Sequence, residues 1–330
     1  MKTYNPEQIA GQRLMVGFDG LELTGDVKYL IDTLKVGGLI LFKRNVSSPA
    51  QVTALCADAQ AHARACGQPP LFIAIDQEGG QVARLGPPFT RFPGNPAMTS
   101  TADADLFAET TARELGQVGI NMNMAPVLDV APDGVESIMA GRVFRGGADR
   151  VSEMGVRVIE GLQQGGILAV AKHFPGIGRT TLDSHLDLPT LAVPKADLDA
   201  TDLTPFRAAV ACGVAGIMLS HIRYSAIDAD WPASLSPKIA GTWLREELGY
   251  DGLVMTDDLD MGAVAKHFDI RTAARQVLEA DVDIALVCHR SPHMEDAFEE
   301  ILRLCTESSD MANRARGSVE RILKLKETYL

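Results

Sequence analysis

The sequence predicts an α/β protein that folds as a (β/α)8 barrel of the TIM type. Eight short, nearly continuous apolar runs recur along the chain, and amphipathic segments separate most of them. Runs of this kind are typical of parallel strands that are buried on both faces and covered by helices. The length of 330 residues is somewhat above the usual size of such a barrel. We therefore expect residues 1–330 to form one barrel domain that ends in helices.

The eight predicted strands are Leu14–Phe18, Gly38–Phe42, Leu71–Ile75, Ile120–Met124, Ile167–Ala171, Gly216–Ser220, Leu253–Thr256 and Ile284–Cys288. Predicted helices between them include Pro49–Ala65, Ala104–Val118, Arg150–Gln164, Leu203–Cys212, Ile239–Glu247 and Ile270–Ala280, and two more are expected between Met294 and Leu330. An open, doubly wound sheet is the competing arrangement, because periodicity alone cannot show closure. The first strand is not followed by G-x-G-x-x-G, which disfavours the dinucleotide-binding form of that alternative.

Composition and charge exclude several classes of partner. The formal net charge of −12 and the lack of a basic stripe argue against nucleic acid. No apolar run approaches the roughly 20 residues that a membrane helix needs, and Met1–Arg13 has no apolar core of a signal peptide. The five cysteines are scattered and include no C-x-x-C pair, which favours reduced thiols. We therefore expect a cytoplasmic protein with no membrane or nucleic-acid partner.

Polar residues follow six consecutive predicted strands, from the third to the eighth. In a barrel these strand ends open on one face, where the loops after the strands build the active site. Charged and titratable groups collected at such a place indicate a reaction site rather than a solvated surface. In strand order they are Asp76, Glu78 and Arg84; Asn123, Asp129 and Arg142; Lys172 and His173; His221; Asp257 and Asp258; and His289 and Arg290.

The loop after the fifth strand has the highest density of charged and titratable residues. Asp183 and His185 stand two residues apart in it, close enough for the carboxylate to orient the imidazole as an acid/base that works near neutral pH. Lys172 could hold a hydroxyl group of a ligand, or it could be the nucleophile of a Schiff-base lyase. Metal-binding patterns such as H-x-H and H-E-x-x-H are lacking, so we expect no metal and no cofactor.

Asp257 directly follows the seventh strand and should lie at the mouth of the barrel. A carboxylate there can act as a nucleophile, a general base or a metal ligand. Asp258 is its neighbour, and adjacent residues of a strand face opposite ways. We therefore expect Asp258 to point elsewhere and to cap the helix that follows.

Four segments together resemble bacterial β-N-acetylglucosaminidases of glycoside hydrolase family 3. Lys172-His173-Phe174-Pro175-Gly176-x-Gly178 followed by Asp183-Ser184-His185 is similar to the signature of that family. Ile75-Asp76-Gln77-Glu78-Gly79-Gly80, with Arg84 beyond it, resembles the family's first sugar-binding loop. Asn123–Asp129 and Thr256–Leu259 match two further segments in the expected order, so the resemblance covers roughly Leu14 to Met261.

The resemblance implies a barrel and a role for each matching residue. Asp257 corresponds to the nucleophile that forms a covalent glycosyl-enzyme, and His185, assisted by Asp183, corresponds to the acid/base. The substrate-binding residues implied in the same way are Asp76, Arg84, Arg142, Lys172 and His173; Arg142 lies in the loosest of the matches. The resemblance further implies a small carbohydrate partner, namely muropeptides that contain N-acetylglucosamine and are cleaved during peptidoglycan recycling.

Other functions and details remain open at this point. A Schiff-base lyase that uses Lys172, a β-glucosidase of the same family and an inactive sugar-binding barrel are the alternatives. The Asp183-Ser184-His185 segment disfavours the β-glucosidase, whose relatives usually carry the acid/base on a further domain. The sequence departs from many relatives at Ile177, where they have His, and at Arg179. The natural aglycone, the choice between water and phosphate as acceptor, and the oligomeric state are not determined by the sequence.

Overall fold

Eight parallel strands close into a barrel in the part of the chain that the computed structural model describes, residues 4–132 and 134–330. Each strand pairs with the next in sequence, and the first pairs with the last, with Leu14 opposite Ala285. The strands are β1 (Leu14–Val16), β2 (Gly38–Leu41), β3 (Phe72–Ile75), β4 (Met122–Asn123), β5 (Leu168–Phe174), β6 (Gly216–Leu219), β7 (Leu253–Asp258) and β8 (Ile284–Val287). The predicted (β/α)8 barrel is confirmed, and the open sheet is wrong.

The strand ends differ from the prediction by one to three residues, and the differences are largest for β4 and β5. β4 is shorter than expected, and Pro126, which has no amide hydrogen to donate, follows shortly after it. β5 was expected to end at Ala171 but continues to Phe174, because its backbone bonding does not stop where the side chains become polar. The amide of Lys172 donates to the carbonyl of Pro126 over 3.1 Å, and the carbonyl of Lys172 accepts the amide of Leu128 over 2.7 Å. Lys172 and His173 therefore lie in the strand and not in a loop.

Helices cover the outside of the barrel. They are α1 (Pro6–Gln12), α2 (Gly25–Asp32), α3 (Pro49–Ala65), α4 (Thr101–Gln117), α5 (Gly147–Gln164), α6 (Lys195–Ala200), α7 (Thr204–Ala211), α8 (Gly262–Ala265), α9 (Ile270–Glu279), α10 (His293–Glu307) and α11 (Ser309–Tyr329), with a π-helix at Pro237–Glu247. The helices named in the sequence prediction are all present, with small shifts at their ends. The short helices α1, α2, α6 and α8 were not predicted, because each is at most eight residues long, which is too short to establish a helical period from sequence.

The side chains of the strands form two separate apolar layers. Residues such as Met15 and Val170 point into the barrel, whereas their neighbours, such as Val16 and Ala171, pack against the helices. Both faces of the sheet are thus buried, which explains why the strands read as continuous apolar runs and not as an alternating pattern.

The helix α11 contributes Ile322 and Lys326 to the buried interior at the amino-terminal end of the barrel. The Nζ atom of Lys326 donates to Gln12 Oε1 over 2.7 Å and to the carbonyl of Gly37 over 2.8 Å. Lys326 also lies 4.8 Å from the centre of the Phe72 ring. The amino-terminal end is thus filled by packing, and the opposite end is left to build a site.

Among residues 4–132 and 134–330, no helix is both long enough and apolar enough to cross a membrane.

Candidate active site

A cavity of about 350 Å³ opens among the carboxyl ends of the strands. This volume lies within the range that is usual for small-molecule sites. Apolar side chains, including Met139, Met218 and Met261, form part of its wall. The eight predicted site residues all line it: Asp76, Arg84, Arg142, Lys172, His173, Asp183, His185 and Asp257.

Lys172 is the centre of a buried ionic network on one side of this cavity. Its Nζ atom lies 2.8 Å from Asp76 Oδ1 and 2.7 Å from Glu78 Oε1. Burial alone would lower the pKa of Lys172, but the two carboxylates reverse this and raise it above its ordinary value. Lys172 is therefore a fixed cation whose hydrogen bonds are oriented by its neighbours.

Two arginines complete the network. Arg84 Nη2 donates to Asp76 Oδ2 over 3.0 Å. Arg142 donates to both oxygens of Glu78, over 3.0 Å from Nε and 2.7 Å from Nη2. Burial would raise the pKa of both carboxyl groups, but the neighbouring cations hold the pKa of Asp76 and that of Glu78 below their ordinary values.

Glu78 is a functional candidate that the sequence prediction did not select. Its side chain is 3% exposed and joins Lys172 to Arg142. Asp76 and Glu78 are two residues apart in an extended segment, and side chains at that spacing lie on the same face. This spacing is the sequence signal that places Glu78 beside Asp76. The resemblance to a sugar-binding loop implies roles for Asp76 and Arg84 but not for Glu78.

His173 is held by Asp129, which the prediction noted only as a strand-end residue. His173 Nδ1 lies 2.8 Å from Asp129 Oδ2, and Asp129 is fully buried. The other carboxylate oxygen accepts the amide of Ile177 over 2.8 Å. One carboxylate therefore fixes both the imidazole and the beginning of the loop that follows β5.

Asp257 lies near the carboxyl end of β7 and faces the same cavity. Burial alone would raise the pKa of Asp257, but His173 and His221 reverse this and lower it. The amide of Asp258 also donates to Asp257 Oδ1 over 2.8 Å. The carboxyl group is consequently ionised at neutral pH, as a nucleophile must be.

The expectation for Asp258 was wrong in two respects. Asp258 lines the cavity beside Asp257, because the pairing of β7 with β8 is irregular between Met255 and Asp258 and the simple alternation of side chains is lost. It does not cap the next helix, whose N-cap is Met261. Its Oδ1 accepts the amides of Asp260 and Cys288 instead. Burial and its acidic neighbours raise the pKa of Asp258 to about 6.

Asp183 and His185 form a pair on the loop after β5, as their spacing predicts. Asp183 Oδ1 lies 2.7 Å from His185 Nδ1 and also accepts the amide of His185 over 2.9 Å. The imidazole side chain is 68% exposed. The carboxylate thus fixes the orientation of a ring that solvent and a ligand can both reach.

The remaining strand-end residues have different surroundings. His221 is buried, with Nε2 donating to the carbonyl of Asp258 over 2.9 Å and Nδ1 lying 2.7 Å from Ser234 Oγ. Burial lowers the pKa of His221, and the charge of Asp257 opposes this effect. His289 lines the cavity, whereas Arg290 forms ion pairs with Asp26 and Glu295.

Asp258 and His289 of the cavity and the neighbouring Asp260 form a group that could hold a cation, because their ligand atoms lie within 4.8 Å of one another. The carboxylates already accept backbone amides, and Asp260 Oδ1 lies 2.7 Å from His293 Nδ1. The grouping is therefore explained by hydrogen bonding within the protein.

The fold and the site together define an enzyme: a TIM barrel whose pocket joins an ionised, half-buried carboxylate, an accessible His–Asp pair and a network of fixed charges. The model of the glycosyl hydrolase family 3 N-terminal domain matches residues 7–325. The chain belongs to glycoside hydrolase family 3, and it is a glycoside hydrolase.

Curated relatives support the same family. A β-hexosaminidase of Alkalilimnicola ehrlichii is 38% identical over 285 residues, which are 84% of this chain and 80% of that protein. A β-hexosaminidase of Pseudomonas aeruginosa PAO1 is 35% identical over 309 residues, which are 92% of this chain and 90% of that protein.

Solved structures show the same fold. A family 3 β-N-acetylglucosaminidase of Paenibacillus sp. FPU-7 has a TM-score of 0.93 and 39% identity, and the match covers 98% of this chain but 62% of that longer chain. A β-N-acetylhexosaminidase of Beutenbergia cavernae has a TM-score of 0.91 and 30% identity, with 98% of this chain and 99% of that chain covered.

Proposed function

We propose that this glycoside hydrolase, which acts on N-acetylglucosamine, is a retaining, exo-acting β-N-acetylglucosaminidase. In this proposal Asp257 attacks the anomeric carbon and forms a covalent glycosyl-enzyme. His185, assisted by Asp183, protonates the leaving oxygen and later removes a proton from water. The observation that carries the proposal is the shared cavity of an ionised, half-buried Asp257 and an accessible imidazole paired with a carboxylate.

The geometry of the His–Asp pair supports its assignment as acid/base. Because Nδ1 of His185 is bound to Asp183, Nε2 is the nitrogen that remains to exchange a proton with the substrate. Retaining glycosidases ordinarily use a second carboxylic acid for this step. A His–Asp pair performs the same proton transfers, and a well-placed general acid contributes about 10²- to 10⁴-fold in rate.

The ionic network supports binding of the sugar hydroxyl groups. Asp76, Arg84, Arg142 and Lys172 are held by one another and by Glu78, and His173 is held by Asp129. Groups with fixed orientation and charge bind a polar ligand with little loss of side-chain freedom. A pocket, as opposed to an extended groove, also supports attack on a terminal sugar.

The positive charge of Lys172 argues against a Schiff-base lyase. A lysine needs an unprotonated amine to attack a carbonyl carbon. Two carboxylates raise the pKa of Lys172 above its ordinary value and keep it charged. It is therefore a binding residue in this proposal.

The test is release of a nitrophenol from the β-N-acetylglucosaminide and from the β-glucoside, with wild type beside Asp257→Ala. We expect strong preference for the acetamido sugar, and we expect the variant to lose on the order of 10⁴-fold or more in kcat, because no covalent intermediate can form. Asn substitution of the exposed Asp310 is a control that should leave both rates unchanged. Normal turnover by Asp257→Ala would contradict the assigned nucleophile.

We also propose that residues 1–330 act as one catalytic unit in the cytoplasm on muropeptides of peptidoglycan recycling. Similarity to the β-hexosaminidases, the net charge of −12 and the scattered cysteines support this proposal. Purified disaccharide-peptides provide the test, since mass spectrometry should detect released N-acetylglucosamine. Cleavage of aryl glycosides without cleavage of these compounds would direct the search to another aglycone.

A further inference from the structure

The tip of the loop that carries the His–Asp pair lies against the chain segment that follows the Asp257 strand. The carbonyl of Ser184 accepts the amide of Ala263 over 3.0 Å. The carbonyl of His185 accepts the amide of Gly262 over 3.3 Å. These amides belong to the first turn of α8, where backbone donors have no partner within the helix. The backbone on both sides of the acid/base is thus bonded to α8.

Two side chains that follow α8 extend this contact to the next loop residues. Lys266 Nζ donates to the carbonyl of Leu186 over 2.6 Å. His267 Nε2 lies 2.6 Å from Asp187 Oδ1. Residues 262–267, which we call the dock, therefore contact four consecutive loop residues, 184–187.

Gly262 shows how close this approach is. A Cβ atom at this position would lie 2.7 Å from the carbonyl oxygen of His185 and 2.8 Å from that of Leu186. Cβ atoms essentially never approach an oxygen so closely, so the loop would have to move. The backbone of Gly262 does not have a positive φ, and the three atoms that an alanine Cβ would approach most closely all belong to the loop.

The first part of the same loop is anchored elsewhere. The amide of Ile177 is bound to Asp129, Arg179 is bound to Asp202, and the carbonyl of Thr180 accepts the amide of Ile138. Asp183 and His185 are bonded to each other, so they move as a unit. The position of that unit relative to Asp257 therefore depends on the contacts at the loop tip.

We propose that the dock positions His185 for proton transfer, with Gly262, Lys266 and His267 as positioning residues that do not touch the substrate. This inference rests on the proposed function, because it assigns a role relative to the acid/base. The dock follows the nucleophile in the same stretch of chain, and the amide of Met261 is bonded to the carbonyl of Asp258. One segment thus holds the nucleophile and locates the proton donor.

The test uses Gly262→Ala, because it displaces the loop tip without changing a titratable group. Gly25→Ala is the matched control, since Gly25 also begins a helix and a Cβ there would meet no atom within 4 Å. Two substrates separate acid catalysis from general damage. The dinitrophenyl β-N-acetylglucosaminide has a leaving group that departs without a proton, whereas the β-1,4-linked N-acetylglucosamine disaccharide needs one.

For Gly262→Ala we expect kcat/KM on the disaccharide to fall by about 10²-fold, which is the contribution of a general acid. The value for the dinitrophenyl glycoside should change less than about threefold, because its departure needs no acid. Azide should raise the turnover of the dinitrophenyl glycoside by the variant and form the glycosyl azide, because this anion attacks the glycosyl-enzyme without deprotonation. Wild type and Gly25→Ala should show neither the loss on the disaccharide nor the activation by azide.

Equal losses on both substrates, or no loss on either, would overturn the positioning role. A second variant, Lys266→Met with His267→Gln, covers the case in which Gly262→Ala does not fold, because both side chains are exposed. It should show the same difference between substrates, with a loss on the disaccharide of about fivefold or more. An inactive wild type would contradict the proposed function, whereas an active wild type with unselective variants would contradict the dock alone.

Discussion

At the scale of single residues, the site depends on carboxylates whose surroundings give them different tasks. Asp257 is half-buried yet ionised, because His173 and His221 offset the effect of desolvation on its pKa. Asp258, next to it, has its pKa raised to about 6 by burial and by other acids. Glu78 is ionised because it pairs with Lys172 and Arg142. Neighbouring charges, and not residue type, decide which carboxylate can react.

Glu78 provides the prediction at this scale. We expect Glu78→Gln to raise KM for the N-acetylglucosaminide about tenfold or more, because Lys172 and Arg142 lose a charged partner that fixes them toward the sugar. The free energy of unfolding should fall by about 3 kcal/mol, since one carboxylate of a buried ionic network is neutralised. Steady-state kinetics and urea denaturation measure the two effects.

Glu320→Gln on α11 is the control for this change, because Glu320 is exposed. It should change the free energy of unfolding by less than about 0.5 kcal/mol. Unchanged KM in Glu78→Gln would show that the network does not orient the binding residues.

At the scale of elements, the loop after β5 is fixed at its beginning by a buried ion pair. Arg179 Nε donates to Asp202 Oδ2 over 2.9 Å, and Asp202 is 1% exposed. Thr201 Oγ donates to the same oxygen over 2.7 Å. Burial raises the pKa of Asp202. Arg179 thus pairs with a buried carboxylate next to the loop.

Arg179→Ala should therefore destabilise the protein by about 3 kcal/mol, because removal of one partner leaves a buried carboxylate without its cation. Denaturant unfolding measures this loss. Arg207→Ala is the matched control: Arg207 pairs with Asp199 at the surface, and exposed pairs contribute about 1 kcal/mol or less. Equal effects of the two substitutions would mean that the Arg179–Asp202 pair is no stronger than a surface pair.

At the scale of the whole molecule, the two ends of the barrel differ in how far their interior is filled. The carboxyl end is open and charged, and the amino end is filled by α11 and its buried Lys326. Burial lowers the pKa of Lys326 to about 7, although Gln12, the carbonyl of Gly37 and the Phe72 ring face its ammonium group. This lysine links the stability of the fold to pH.

Lys326 should make the wild type more stable relative to Lys326→Met as the pH rises from about 7 toward 10. The folded protein releases the Lys326 proton near pH 7, whereas the unfolded chain keeps it up to the ordinary pKa of 10.5. In this range the unfolded state binds more protons at Lys326, so the contribution of this residue to the free energy of unfolding increases with pH, by up to a few kcal/mol. Lys326→Met should remove this slope, and denaturant unfolding at several pH values measures it.

Lys324→Met on the same helix is the control, because Lys324 is exposed and should leave the slope unchanged. A slope that persists in Lys326→Met would assign the effect to another group.

Much of the fold could be predicted because buried parallel strands leave a strong pattern. Runs such as Gly38–Phe42 and Ile284–Cys288 are apolar on both faces, and the helix Pro49–Ala65 was predicted with its observed ends. Short helices such as α8 were missed, because four residues cannot establish a period. The end of β5 was misplaced, because polar side chains in a strand that borders a cavity resemble the start of a loop.

The sequence by itself predicted the barrel and the end of it at which the candidate site residues gather, since strand ends of a barrel meet at one face and Asp183 and His185 are close in the chain. Only the tertiary structure decided which distant groups pair. It joins Glu78 to Lys172 and Arg142, and it places the loop tip against Gly262. These contacts join residues far apart in the chain, and their distances and burial determine the charges at the site. A linear pattern records neither quantity.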